Sequence, residues 1–236
     1  MDQENDKENP ESYASPACSM HEVDPRYMGL GDRDASMKEW RGDERHRLID
    51  LRTLLSSDER DRRTLLLRQH LDRLLPNLRN QNISFYWPFL GEPDLRGWMT
   101  SASASGATCL LPVVTEKRRP LTFRSWRVGE ELEQGVLNIP VPRHGEERRP
   151  DIVIAPVVGF DAQCYRLGFG GGYFDRTLAA LDPPPIKIGV GFDFQEIESI
   201  RPQAHDIPMD AIVTDVQVRL RPGIHLDIER RMAGEE

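Results

Sequence analysis

The run Arg166-Leu-Gly-Phe-Gly-Gly-Gly-Tyr-Phe-Asp-Arg176 gathers the residue types that handle phosphate. Glycines at 168, 170, 171 and 172 leave a loop almost bare of side chains, so its backbone N–H groups can close on an anion. Arg166 and Arg176 bracket the loop, Asp175 adds an acid, and Thr177 to Leu181 suit a helix opening there. A helix N-terminus behind a glycine loop favours phosphate through its dipole and unpaired donors. A tight surface turn is the competing reading, and the flanking charges favour a nucleotide. A second basic feature lies far upstream. Steps of four and seven put Arg41, Arg45 and Arg52 on one helical stripe, within about 40° of each other. Such a stripe either reaches phosphate or is a solvated face.

The loop fits neither common nucleotide pattern. A Walker A loop needs Gly-Lys followed by Ser or Thr, which is absent after Gly172. Tyr173 stands where the dinucleotide fingerprint wants its third glycine, and no obvious strand runs into the loop. The segment resembles instead the signature of the 5-formyltetrahydrofolate cyclo-ligase family, typically Arg-Leu-Gly-Tyr-Gly-Gly-Gly-Tyr-Tyr-Asp-Arg, with phenylalanine here at 169 and 174. Further segments are similar to the family in order: Tyr86 to Asp94, Leu121 to Trp126, Gly135 to Pro142, and His205-Asp-Ile-Pro-Met-Asp210 followed by Ile212-Val-Thr214. The likeness runs from about Arg41 to Thr214. It implies an α/β fold akin to the sugar-phosphate isomerase and CoA-transferase group. It also implies ATP- and magnesium-dependent cyclisation of 5-formyltetrahydrofolate to 5,10-methenyltetrahydrofolate, releasing ADP and phosphate.

By the same resemblance, Gly168, Gly170, Gly171 and Gly172 wrap the ATP phosphates and Arg166 supplies a fixed charge. Tyr173 and Phe174 close the segment, as ligand contacts or as packing at a helix start. Arg41 and Arg45 match the basic pair of the family's first-helix Lys-x-x-Leu-Arg, with Gly42 weakening that helix and Glu44 removing an apolar anchor. Some relatives carry lysine in the glycine run, which puts more weight on the arginines. Asp175 matches the Mg²⁺ position and Asp206 is a second candidate, hard oxygens suiting an ion that bridges to phosphates. Glu92 matches a folate-contacting acid, suited to the pterin's N–H edge. Tyr86, Trp87 and Trp126 either stack on the folate rings or fill the core. Cys164 replaces a glycine common just before the loop.

The implied chemistry needs no protein nucleophile. A formamide carbonyl is a poor electrophile and its oxygen a poor leaving group; phosphorylating that oxygen cures both. The protein then has to hold two substrates in line and neutralise moving charge. Two other readings remain open at this point: a sugar-phosphate isomerase or deaminase of similar fold, and a folate- or nucleotide-binding regulator with weakened catalysis.

These residues need a scaffold. The 236-residue chain is long enough for one domain with a sizeable core. Its net charge of -8 argues against a general nucleic-acid binder. No apolar run approaches the roughly 18 residues of a membrane span, and the acidic N-terminus lacks a signal-peptide layout. Cys18, Cys109 and Cys164 form no CxxC and suit free thiols in a reducing cytoplasm. We expect a monomer or weak dimer taking folate, with or without a polyglutamate chain, and ATP.

Residues 1–36 are too polar to fold on their own and predict a disordered acidic extension; the α/β domain is 37–220, with a polar tail at 221–236. Helical patterning runs from about Ala35 to Leu55. Ser56-Ser-Asp-Glu59 has the form of a capping box opening a second helix, in which Leu67, Leu71, Leu74 and Leu78 form one apolar stripe. Strands are expected at 83–89, 108–114, 121–126, 151–157, 186–192 and 211–214, alternating with helices at 94–104, 173–181 and 193–200. That alternation predicts a three-layer α/β domain with a mostly parallel sheet.

Overall fold

In the computed structural model, residues 34–224 are described. The expected acidic extension up to residue 33, Cys18 and residues 225–236 of the tail lie outside that range. The chain supplies strands β1 (Asn82–Ser84), β2 (Thr108–Val113), β3 (Thr122–Ser125), β4 (Leu132–Gln134), β5 (Pro140–Pro142) and β6 (Ile152–Pro156). It continues with β7 (Gly159–Phe160), β8 (Arg166–Leu167), β9 (Ile186–Val190), β10 (Ala211–Val213) and β11 (Val218–Leu220). The helices are α1 (Asp34–Thr53), α2 (Ser57–Leu74), α3 (Arg96–Ala104) and α4 (Tyr173–Ala180).

Seven strands form the sheet β11-β10-β9-β6-β1-β2-β3; its interior pairs are parallel and only the edge strands β3 and β11 run antiparallel. The apolar run of β6 is buried on both faces, as a central parallel strand requires. Ile152 and Ile154 turn to one side, where Leu67 and Leu71 of α2 and Trp98 and Met99 of α3 complete the larger core. Val153 and Ala155 turn to the other, against Leu178 of α4, Phe160 and Ile212. Each such aliphatic side chain contributes roughly 1.5–3 kcal/mol of burial.

The second helix opens as read: Ser56 Oγ accepts from the Glu59 N–H at 3.2 Å. Only half of the capping box forms, because the Glu59 carboxylate is held by Arg62 and Arg63. Leu67 and Leu71 carry the stripe, and Leu78 lies beyond the helix end.

Two expectations are corrected. The strand foreseen at 83–89 stops at Ser84, because Pro88 and the positive-φ pair Leu90 (46°) and Gly91 (76°) turn the chain away. The helix foreseen at 193–200 shrinks to a 3₁₀ turn over Asp193–Gln195. Gln195 is fully buried and donates to the carbonyls of Val157 and Val158, while the Ile197 N–H bonds to Phe160; these tertiary bonds replace helical ones. The polar tail is also less peripheral at its start: Arg221 pairs with buried Asp210, and Ile224 packs against the core. Among the described residues no helix is long and apolar enough to cross a membrane.

The strand order reverses between β1 and β6. From β1 the chain moves outward through β2 and β3, then returns to β6 and proceeds the other way through β9 and β10. Crevices form at such switch points, beyond the carboxyl ends of the parallel strands. The loop after β1 carries Glu92, and the segment after β6 carries the glycines.

Candidate active site

Beyond β6 the chain folds through the two-residue ladder β7–β8 before entering the glycine loop. The buried Asp161 carboxylate ties this hairpin, accepting from the N–H groups of Gln163, Tyr165 and Ile200. Thus a strand does lead into the loop, with Arg166 on it; two paired residues leave no periodic pattern to read in a sequence. Gly170 (φ 94°) and Gly172 (φ 60°) adopt left-handed backbone that favours glycine. Gly172 is also the N-cap of α4 and offers no side chain to the first helical N–H groups, which leaves them for an anion.

Three buried arginines close around this loop. The Arg45 Nε donates to the Gly168 carbonyl at 2.7 Å. Arg166 pairs with Asp175 at 2.9 Å, and Arg41 with Asp206 at 2.5 Å. All three are more than nine-tenths buried. Two carboxylates therefore face three guanidinium groups, and among the described residues Arg45 forms no ion pair. Burial first, and the neighbouring Arg41 second, pull the Arg45 guanidinium down to about 10. Buried donors are also left over: Arg41 Nε and Arg166 Nε have no hydrogen-bond partner. Surplus positive charge and spare donors at a helix N-terminus suit a polyanion. Arg41 and Arg45 are therefore buried together and not part of a solvated face, with Arg45 on the glycine loop.

Arg52 departs from them. It is fully buried and turns to the loop after β1, donating to the carbonyls of Leu90 (2.9 Å), Val157 (3.2 Å) and Phe89 (3.5 Å). Its Nη2 lies 3.9 Å from Glu92 Oε1, and its guanidinium covers the Phe169 ring at 5.8 Å. Phe169 in turn meets Phe89 edge-on at 5.9 Å, so the glycine loop and the Glu92 segment touch. Glu92 is buried, with Oε2 accepting from the Phe89 N–H at 3.0 Å and Oε1 lacking any hydrogen-bond partner. Desolvation pushes its carboxyl up to about 7 against the pull of Arg52. A buried acceptor with a free lone pair suits a donor edge brought by a ligand.

The remaining candidates separate. Tyr86 is in the core and its hydroxyl donates to the Pro93 carbonyl at 2.7 Å, which corrects the stacking role in favour of packing. Trp126 is nearly buried, donates its indole N–H to the Glu130 carbonyl, and meets half-buried Trp87 edge-on at 5.9 Å. Both tryptophans line a cleft of about 610 Å³ that neither the loop glycines nor Glu92 line. Tyr173 and Phe174 are half-buried, their rings under Arg176 (5.1 Å) and Arg166 (5.4 Å). Among the described residues no group of three or more His, Cys, Asp or Glu side chains gathers to hold a metal. Asp175 Oδ1 also accepts from the Ile207 N–H, and Asp206 Oδ2 from the Gln203 N–H. Such engaged carboxylates fit an ion that arrives with a nucleotide and keeps most of its waters better than a resident metal. The Cys164 thiol is buried and pushed up to about 11, which removes it as a nucleophile. Nothing in residue order announces the Asp161 tie, the inward turn of Arg52 or the cleft.

Comparison with known proteins agrees with this geometry. The model of the 5-formyltetrahydrofolate cyclo-ligase family matches residues 37–215. The 5-formyltetrahydrofolate cyclo-ligase of Escherichia coli K12 is 29% identical over 150 residues, covering 61% of this chain and 82% of that protein. Its namesake from Haemophilus influenzae is 27% identical over 148 residues, covering 60% and 79%. The solution structure of Aquifex aeolicus 5,10-methenyltetrahydrofolate synthetase superposes with a TM-score of 0.68 at 30% identity, over 77% of this chain and 93% of that one. With glycine loop, arginine cluster and buried glutamate placed at the switch point of a fold shared with that structure, the chain belongs to the 5-formyltetrahydrofolate cyclo-ligase family.

Proposed function

We propose that this chain cyclises 5-formyltetrahydrofolate to 5,10-methenyltetrahydrofolate at the expense of ATP, releasing ADP and phosphate. The observation that carries the reading is the surplus of buried guanidinium groups around a glycine loop, beside a buried glutamate with an unpaired oxygen. The triphosphate lies on the N–H groups at 168–172 and the start of α4, with Arg41, Arg45 and Arg166 balancing its charge. Asp175, with Asp206 behind it, would hold a Mg²⁺ ion brought by the nucleotide, and such an ion would offset phosphate charge. Glu92 takes the pterin's N–H edge and thereby sets the formyl group toward the loop.

The γ-phosphoryl group passes to the formyl oxygen and ADP departs. The folate's N10 then attacks the activated carbon and gives up its proton, and the C–O bond breaks as phosphate leaves. The protein's part is alignment of the two substrates and support for charge that moves from the γ-phosphate to the leaving groups. One chain supplies every residue named, so a monomer suffices, and the buried thiols Cys109 and Cys164 suit a cytoplasmic setting. The test mixes purified protein, 5-formyltetrahydrofolate and MgATP. Methenyl absorbance that grows with ATP and not without it is the expected result; no growth under either condition refutes the reading.

A further inference from the structure

We propose that Asp161 is a positioning residue for the nucleotide site, holding Arg41 and Arg166 at the spacing the phosphates require without touching the nucleotide itself. This role rests on the ATP reading of the glycine loop and adds to it what keeps two of the guanidinium groups in register. Asp161 is buried and opens the turn 161–165 that joins β7 to β8. Its Oδ1 accepts from the N–H groups of Gln163 (3.0 Å) and Tyr165 (3.1 Å), and its Oδ2 from that of Ile200 (3.1 Å). A buried carboxylate is costly unless its lone pairs are met, and here backbone donors from two segments meet them.

The two segments lead to two arginines. Within the hairpin, Arg166 begins β8 and pairs across with Phe160, the residue before Asp161. Beyond Ile200, the Arg201 carbonyl accepts from Arg41 Nη2 at 2.8 Å, and Asp206 takes the same guanidinium at 2.5 Å. From Ile200 to Met209 the chain is neither helix nor strand, so no ladder gives it shape. Both of its ends are fastened to the turn instead: Ile200 to the Asp161 carboxylate, and Met209 through its N–H to the Cys164 carbonyl at 2.9 Å. Midway, the Ile207 N–H meets Asp175, the partner of Arg166. One carboxylate thereby sets the distance between the hairpin that carries Arg166 and the shelf that holds Arg41. Asparagine cannot replace it: with a single oxygen, its amide nitrogen would face either the Ile200 N–H or the two hairpin N–H groups.

The experiment follows MgATP binding by titration calorimetry, and turnover, with the full chain. Asp161→Asn should weaken MgATP binding and raise its KM about tenfold, with KM for 5-formyltetrahydrofolate within about twofold of the wild type, because Arg52 and Glu92 are held outside the turn. Arg41→Met should then cost less MgATP affinity in the Asp161→Asn background than in the wild type, a non-additivity that lost stability alone does not produce. In the wild type, amide exchange at Gln163, Tyr165 and Ile200 should slow together when MgATP saturates the site, a readout that needs no variant to fold. Unaltered MgATP affinity in Asp161→Asn, additive losses with Arg41→Met, or exchange at the three amides that ignores MgATP overturns the role of Asp161 and spares the reaction. A wild type that binds MgATP but never turns over sinks the reaction, and the binding measurements still decide on Asp161; one that binds no MgATP overturns both.

Discussion

Replacing Arg45 by methionine should make the empty protein more stable and nucleotide binding poor. The cost of holding that charge is legible in the structure: burial and Arg41 bring the guanidinium down to about 10. Keeping it protonated at neutral pH then costs about 3 kcal/mol in the folded state. The sign follows from linkage: with a depressed folded value, the penalty is complete below pH 10 and fades only as pH rises beyond it. Methionine fills a similar volume and lifts the penalty, but forfeits the 2.7 Å bond to Gly168, worth about 1 kcal/mol. The net gain of about 2 kcal/mol corresponds to roughly 4–8 °C in Tm for a domain of this size. MgATP at a hundredfold excess over its Kd should add about 3 kcal/mol to the wild type and much less to the variant. Thermal melts with and without MgATP read both effects. An Arg45→Met protein that melts below the wild type without nucleotide, or that keeps the full nucleotide shift, would refute the argument.

Three other outcomes are expected. Because burial raises the Glu92 carboxyl to about 7, the native state holds extra proton between the ordinary carboxylate range and that value; stability is complete below the range and is lost as pH climbs through 7, by about 3 kcal/mol. Urea midpoints between pH 5 and 8 should show that slope in the wild type and not in Glu92→Gln, which should also bind folate weakly. Arg52→Met strips the donor from three carbonyls and leaves the Glu92 charge unanswered, so a loss of about 3–5 kcal/mol and a raised KM for folate are expected, with Arg52→Lys intermediate; calorimetry and turnover measure them. Cys164 holds a left-handed φ of 63°, which costs a non-glycine residue about 1 kcal/mol. Cys164→Gly should therefore fall within about 1 kcal/mol of the wild type once the lost burial is counted, whereas Cys164→Val should lose about 2 kcal/mol or more in urea unfolding.

Much of the architecture could be read from residue order because local chemistry and tertiary packing agree there. Ile152 to Pro156 is continuously apolar and is the central strand; Ser56 caps the helix it precedes; the glycines do lead into a helix at Tyr173. Of the candidate site, the shared face of Arg41 and Arg45 is legible, because helical spacing survives folding and brings the two guanidinium groups together. Reading failed where long-range bonds override local preference. Gln195 and Ile197 spend their polar groups on Val157, Val158 and Phe160, so a helical pattern yields a turn. Arg52 shares a stripe with its fellows, yet carbonyls from distant loops draw it inward. Tyr86 by residue type fits stacking or packing equally, and only the fold, which buries its ring in the core, decides for packing.

The reversal of strand order between β1 and β6 has an evolutionary side. The two loops that meet there leave from neighbouring strands but are separated by β2 through β6 in the chain, so neither is the continuation of the other. Lengthening one, as in the β7–β8 hairpin, shifts no register in the seven-strand sheet. On the proposed reading, grip on the nucleotide and choice of its companion can therefore diversify separately, with Arg52 the fastening across which such drift must stay compatible.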